Sequence, residues 1–371
     1  MKKEIICVVG ARPNFTKIAP IIAAIKSTST VITPYLLHTG QHYDEAMKAS
    51  FFEQLGIPEP DIDLEVGSGS HAVQTADVMK LFEPVLDQRK PAAILVVGDV
   101  NSTIACALVA VKKNIPVIHV EAGLRSFDRQ MPEEINRVLT DQISEILFTT
   151  EKTALGNLQK EGIDENKVVF VGNVMIDTLF KNLENAVPME ETLVDQVGTE
   201  NIESGNFGLV TMHRPSNVDD KSVLTSLINT LAEVSTQLPL IFPVHPRTES
   251  QIKKFDLAAK MKASNIIVMP PLGYLHLLGL MKNAKVVLTD SGGIQEETTA
   301  LGVPCITLRE NTERPITCEE GTNTIVGSDA EKIKNAFNDV MKTGGKAGRK
   351  PELWDGHAAE RIVKYLDKWL S

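Results

Sequence analysis

The sequence predicts two doubly wound α/β domains, each a parallel β-sheet covered by helices on both faces. Three observations carry that expectation. The chain has 371 residues, 43% of them hydrophobic, enough for two cores of ordinary size. Short runs rich in Val, Ile and Leu recur without polar alternation, the pattern of strands buried on both faces. Segments with helical spacing separate those runs, as crossovers between parallel strands require.

Taken in order, the runs of the first half are IICVVG (5–10), ITPYLLHTG (32–40), AAILVVGDV (92–100), IPVIHVEAG (115–123), EILFTT (145–150) and VVFVG (168–172). Those of the second half are FGLVTMH (207–213), LPLIFPVH (238–245), NIIVMPPL (265–272), KVVLTDSGG (285–293), VPCITL (303–308) and NTIVG (323–327). Each set reads as one Rossmann-like sheet. Between them, GNVMIDTLFKNLENAVPMEETLVDQV (172–197) has no strong strand signal, which puts the hinge near Gly172 to Asp177. The expected domains are residues 1–172 and 173–355. The last stretch, 356–371, spaces Ile362, Val363, Leu366, Trp369 and Leu370 as a helix does, so it needs a partner surface and is assigned back to the first domain.

Composition removes several classes of function. A net charge of −10 is wrong for a phosphate-backbone partner, so no nucleic acid is expected. No apolar stretch approaches the roughly 20 residues that span a bilayer, and the N-terminal run is too short and lacks the cleavage site of a secretory signal. Cys7, Cys106, Cys305 and Cys318 show no CxxC spacing, and three sit in apolar segments; a reducing cytoplasm fits.

Ligands of open α/β sheets lie beyond the carboxyl ends of the strands, and those ends are rich in polar residues in this chain. In TDSGGIQEE (289–297) a strand ends at Asp290 and two glycines precede a helix, so free N–H groups can meet an anion. The alternative is an ordinary glycine turn with capping acids. Glu296 and Glu297 fall in the first helical turn, where one could reach ribose hydroxyls. GARPNFTK (10–17) sets Arg12 and Lys17 at a strand-to-helix turn suited to a diphosphate, although a surface ion pair would also use Arg12. Neither G-x-G-x-x-G nor G-x-x-x-x-G-K-[ST] occurs, which disfavours a dehydrogenase or a P-loop enzyme. Asp99, Glu121 and Glu133 come from three strand ends or following loops of one half; each alone could be a helix cap, but three together suit proton transfer. His38 and His42 stand four apart, yet Gly40 between them breaks a shared helical face, and no metal is expected. His213 ends the first strand of the second half beside Arg214, while His119 and His245 can equally be structural.

With those residues assembled, the chain resembles the non-hydrolysing UDP-N-acetylglucosamine 2-epimerase family. The matching segments are GARPNFTKIAP, HTGQHYD, GDVNST, HVEAGLRS, MPEEINR, TMHRPSN, TDSGGIQEE and TERP, in the family's order and nearly end to end. The resemblance implies a GT-B-like pair of Rossmann-like domains facing across a cleft, a UDP-sugar substrate, no cofactor and a homodimer. It implies interconversion of UDP-GlcNAc and UDP-ManNAc by loss and return of UDP through 2-acetamidoglucal, supplying ManNAc-type sugars for cell-surface polysaccharide. Asp99, Glu121 and Glu133 match the family's catalytic acids, with Arg137 nearby and His213 close to the diphosphate; which acid moves which proton is left open. Arg12, Lys17 and Arg314 match residues that meet the nucleotide, Ser291, Gly292 and Gly293 the phosphate cradle, Glu297 the ribose site, and Leu272 and Leu277 positions flanking uracil. Gln41 and His42 match part of a second, activating site, but Asp44 and Val73 depart from it. Three rivals stand beside this reading: an epimerase for another UDP sugar such as UDP-2,3-diacetamido-2,3-dideoxyglucuronic acid, a GT-B glycosyltransferase, and a non-catalytic nucleotide-sugar sensor. A hydrolysing relative would release free ManNAc.

Overall fold

The computed structural model of the chain describes residues 2–40, 59–194, 196 and 202–371, and of Arg12 the backbone alone. Seven strands in the first half, β1 (Lys3–Val9), β2 (Ile32–His38), β3 (Ile62–Asp63), β4 (Ala93–Val97), β5 (Val117–Ala122), β6 (Ile146–Thr149) and β7 (Val168–Phe170), form one sheet. Its order is β3-β2-β1-β4-β5-β6-β7, and every pairing is parallel. The second half contributes β8 (Gly208–Thr211), β9 (Leu240–Pro243), β10 (Ile266–Met269), β11 (Val286–Thr289), β12 (Cys305–Thr307) and β13 (Asn323–Ile325), in the order β10-β9-β8-β11-β12-β13. Each sheet reverses its winding at its first strand, β1 or β8, so both halves are Rossmann-like and the pair is GT-B-like. All twelve apolar runs became strands. The short β3 was not expected: two residues, paired Leu37 to Ile62 and His38 to Asp63, have no periodicity to read.

The apolar runs form strands because helices cover both sheet faces. In the first half Ile6, Val8, Ile94 and Val96 pack with Phe82, Val85 and Leu86 of the helix His71–Arg89. In the second, Val210, Leu240, Phe242 and Leu288 pack with Leu227, Ile228 and Leu231 of the helix Lys221–Val234. Among the described residues no helix is long and apolar enough to cross a membrane.

The chain divides into two compact units, Met1–Lys181 with Glu352–Ser371, and Asn182–Pro351. The first boundary lies beyond the hinge expected near Gly172 to Asp177, for a tertiary reason. The helix Val174–Leu183 docks on the first unit: the Thr178 hydroxyl donates to the Thr16 carbonyl at 2.5 Å, and the Thr16 hydroxyl lies 3.1 Å from the Met175 sulfur. Its Asp177 accepts the N–H groups of Ala358 (3.1 Å) and Ala359 (2.7 Å), capping the C-terminal helix Ala358–Leu370. That helix lies on the first unit, with Tyr365 edge-on to Phe148 and Lys3 reaching the Leu370 carbonyl. Upstream of it, Trp354 is buried and donates to the Thr150 carbonyl at 3.0 Å, which draws the second boundary back to 351.

Burial pushes the Asp177 carboxyl up to about 6, against the pull of the Ala359 and Ala358 amides. An unfolded aspartate titrates near ~3.9, so the folded chain takes up this proton first. The stability that this uptake adds is complete below about pH 4 and is lost as pH rises through about 6. Relative to Asp177→Asn, the wild type should therefore lose about 2–3 kcal/mol of unfolding free energy between pH 4 and pH 7. Urea titrations of both proteins at the two pH values check this; a constant difference contradicts it.

Candidate active site

In the first unit the strand ends converge through a few short contacts. Asn14, in the first turn of the helix Arg12–Thr28, accepts the Gly10 and Ala11 N–H groups at 3.1 and 3.0 Å and donates to the Val97 carbonyl at 3.0 Å. That one amide ties the turn after β1 to the end of β4. One turn further along, Lys17 Nζ lies 2.8 and 2.7 Å from the two carboxylate oxygens of Glu121, both residues being buried. Gly98 makes room for that ammonium: a Cβ there would come within 3.1 Å of Nζ, and its φ of +68° favours glycine. Glu121 itself has φ +74°, a left-handed backbone rare for a residue with a side chain.

Asp99 and Arg137 form a second pair. Arg137, on the helix Pro132–Ile143, places Nε and Nη2 2.9 and 2.7 Å from Asp99 Oδ2, and Nη1 2.6 Å from Glu134. Glu134 also accepts the N–H groups of Ser126 (3.0 Å) and Phe127 (2.9 Å), pinning the loop before the helix. Burial works to raise the Glu134 carboxyl, but those amides and Arg137 hold it below the usual range. Glu133, the next residue back, points elsewhere: it lines a cavity of about 300 Å³ together with Asp99, Asn101, Asn136, His71 and Gln74. Asp99 and Glu133 thus line one cavity, while Glu121, paired with Lys17, is not among its lining residues.

In the second unit the organising group is Asp290, fully buried after β11. Its carboxylate accepts the N–H groups of His213 (3.0 Å) and Arg214 (2.8 Å) and the Asn217 amide (3.1 Å), and lies 3.0 Å from His213 Nδ1. Burial works to raise the Asp290 carboxyl, and the His213 ring with those amides holds it below its usual range. The His213 side chain, 40% exposed, is thereby held through Nδ1, with its ring 5.5 Å from that of His245. Ser291 precedes the helix Gly292–Leu301 without capping it with its side chain, and a Cβ on Gly292 would collide with Glu313 Oε1 at 2.5 Å. The Ser291 N–H donates to the Thr289 hydroxyl at 3.0 Å, and the N–H groups of Gly292 and Gly293 stand in the first turn of the helix, where an anion can be met. Arg314 meets Glu296 at 2.8 Å, and Glu297 accepts the Tyr274 hydroxyl at 2.9 Å. Burial pushes Glu297 up to about 7, with Glu296 adding to the shift and Tyr274 opposing it. Leu272 and Leu277, beyond the end of β10, are half-buried.

The structure brings Asp99 to Arg137 and to the cavity shared with Glu133, and it sets Lys17, read from the sequence as a nucleotide contact, against Glu121. Gln41, His42 and the Arg12 side chain lie outside the described residues. His38 pairs with Asp63 at 2.8 Å, and among the described residues no group of three or more His, Cys, Asp or Glu side chains is placed to hold a metal. Sequence reasoning missed Asn14, Glu134 and Tyr274 as working residues. Glu134 had a signal, its i,i+3 spacing from Arg137; Tyr274 had none.

The model of the UDP-N-acetylglucosamine 2-epimerase family matches residues 24–367, and the chain belongs to that family. It is 45% identical over 369 residues to the UDP-N-acetylglucosamine 2-epimerase of Methanocaldococcus jannaschii, covering 99% of each chain. It is 40% identical to the UDP-2,3-diacetamido-2,3-dideoxy-D-glucuronate 2-epimerase of Pseudomonas aeruginosa, covering 98% of this chain and 99% of the other. The fold matches the crystal structure of the Methanocaldococcus jannaschii UDP-GlcNAc 2-epimerase in complex with UDP-GlcNAc and UDP at a TM-score of 0.87, with 43% identity over 98% of this chain and 99% of that one.

Asp290→Asn turns an acceptor-only group into one whose NH₂ faces other donors, and should cost about 3 kcal/mol at pH 7. A depressed carboxyl stabilises above its unfolded pKa, so the gap between wild type and variant should shrink as pH falls below about 4. Denaturant midpoints measured across that range check both points.

Proposed function

We propose that this chain epimerises UDP-N-acetylglucosamine at carbon 2, giving UDP-N-acetylmannosamine, and that Asp99, Glu121 and Glu133 move the protons. The observation that carries the reading is that Asp99 and Glu133 line one cavity, with Arg137 beside Asp99 and Lys17 beside Glu121 supplying positive charge. The hydrogen on carbon 2 is too weakly acidic to be removed on its own. Removal becomes feasible when the bond from carbon 1 to the diphosphate oxygen breaks in the same elimination. A carboxylate takes the proton, the C2–H electrons form the C1–C2 double bond of 2-acetamidoglucal, and the C1–O electrons leave with UDP. In the return step a proton is delivered to the opposite face of carbon 2 and UDP adds back to carbon 1. Well-placed acids and bases contribute about 10²–10⁴-fold each to such steps, and preorganised donors stabilise the departing diphosphate.

We assign the nucleotide to the strand ends of the second unit: the backbone of Ser291, Gly292 and Gly293 with His213 and Arg314 for phosphate, Glu297 for ribose, and Leu272 and Leu277 beside uracil. Arg12 and Lys17 are assigned to the nucleotide from the first unit, and Gln41 and His42 to a second substrate site. The active form is a cytoplasmic homodimer that feeds cell-surface polysaccharide synthesis. The 40% identity to the Pseudomonas aeruginosa enzyme supports a second reading, epimerisation of the diacetamido uronate.

Proton NMR in D₂O, with UDP-GlcNAc and no added cofactor, tests the proposal. UDP-ManNAc carrying deuterium at carbon 2 is expected. Asp99→Asn and Glu121→Gln should slow its appearance about 10²–10⁴-fold while still binding UDP. No change with UDP-GlcNAc, but turnover of the diacetamido sugar, would move the assignment to the second reading.

A further inference from the structure

We propose that His119 and Asp141 are positioning residues for the two strand-end acids: they set the backbone at Asp99 through Gly98, and the backbone at Glu121 through the residues on either side of it. The inference rests on the assignment of Asp99 and Glu121 to proton transfer.

Both side chains are buried, and neither lines the cavity shared by Asp99 and Glu133. His119, on β5, has Nε2 2.9 Å from the Gly98 carbonyl and Nδ1 2.6 Å from Asp141 Oδ1. Both partners are acceptors, so the ring bridges the Gly98 carbonyl and the Asp141 carboxylate. The second oxygen of Asp141 accepts the Gly123 N–H at 3.0 Å and Arg125 Nη2 at 2.7 Å, and Arg125 is held in turn by Glu161. Burial works to raise the Asp141 carboxyl, and His119 and Arg125 hold it below its usual range.

One carboxylate therefore grips the chain two residues before Glu121, through the His119 ring, and two residues after it, at the Gly123 amide. Between those grips the ladder slips: Val120 pairs with Phe148, Ala122 with Thr149, and Glu121 turns out at φ +74°. A strained conformation of this kind persists only where the surroundings over-determine it. Asp141 also lies on the helix that carries Glu133 and Arg137, so the same network ties three elements of the candidate site together. Buried ion pairs are poor stabilisers next to well-packed apolar groups, which leaves geometry as the property this one supplies.

Three variants test the inference, each by carbon-2 exchange and by calorimetric UDP binding. His119→Asn keeps a donor near Asp141 and loses the bond to Gly98; His119→Gln keeps the donor near Gly98 and loses Asp141. Each should lower kcat about 100-fold, the cost of a misplacement near 1 Å, with the UDP dissociation constant unchanged. Asp141→Asn can donate to a neutral ring and still accept from Gly123, so it should fall between wild type and the His119 variants, about tenfold down, because its bonds lose their charge assistance. Should the His119 variants fail to fold, Asp141→Asn decides alone: reduced kcat at unchanged UDP affinity supports the inference, and wild-type kcat overturns it. A fall in kcat matched by the same fall in UDP affinity marks a merely structural role and also overturns it. Absence of exchange in the wild type overturns the assigned function and this inference together; full exchange in the variants overturns this inference alone.

Discussion

Glu121 is held in a backbone conformation that costs on the order of 1–3 kcal/mol for a residue with a side chain, and the first unit is arranged to keep it there. Its carboxylate faces Lys17, a residue 104 positions away on the first helix, and a side chain at Gly98 would crowd that ammonium. Gly98 in turn delivers Asp99, and Asp99 is fixed by Arg137. Asp99 and Glu121 therefore each come with a cation, and the two cations are anchored on different helices. This is how a chain of net charge −10 can gather several carboxylates at one set of strand ends without their mutual repulsion dominating.

The second unit solves a related problem with one buried carboxylate. Asp290 collects two backbone amides, a side-chain amide and a ring nitrogen, which orients His213, and Gly292 and Gly293 open the helix that follows. Glu297 is treated differently. Burial and Glu296 favour its proton, so near neutrality it stands between a donor and an acceptor, as a group facing the hydroxyls of a sugar ring can use. The division of labour follows from these settings: acids held beside cations in the first unit suit proton transfer, and a helix start at Gly292 with an ordered histidine in the second suits an anionic leaving group.

How much of this could be read in advance depended on the range of the interaction. Twelve strands were legible because a strand buried on both faces is a continuous apolar run, a local signal. The two-residue β3 carried no such signal, and the unit boundary moved because the Thr16, Met175, Thr178 and Asp177 contacts are tertiary. In the candidate site, the presence of Asp99, Glu121, Glu133 and Ser291–Gly293 at strand ends followed from the rule that ligands lie there. Their partners did not follow. Lys17 looked like a phosphate ligand by its place in a turn, and only the folded chain brings it against Glu121. Of the two adjacent glutamates in MPEEINR, the helix sends Glu133 to the cavity and Glu134 to the loop it pins, a distinction that spacing alone does not make.

The central claim is that the bond between carbon 1 and the diphosphate breaks while a carboxylate takes the carbon-2 proton. The most direct test uses UDP-GlcNAc with ¹⁸O in the oxygen that bridges the sugar and the β-phosphate, recovered during turnover. Cleavage and return predict that the label spreads into the non-bridging β-phosphate oxygens as exchange at carbon 2 proceeds. Epimerisation with all of the label still in the bridge would contradict the account.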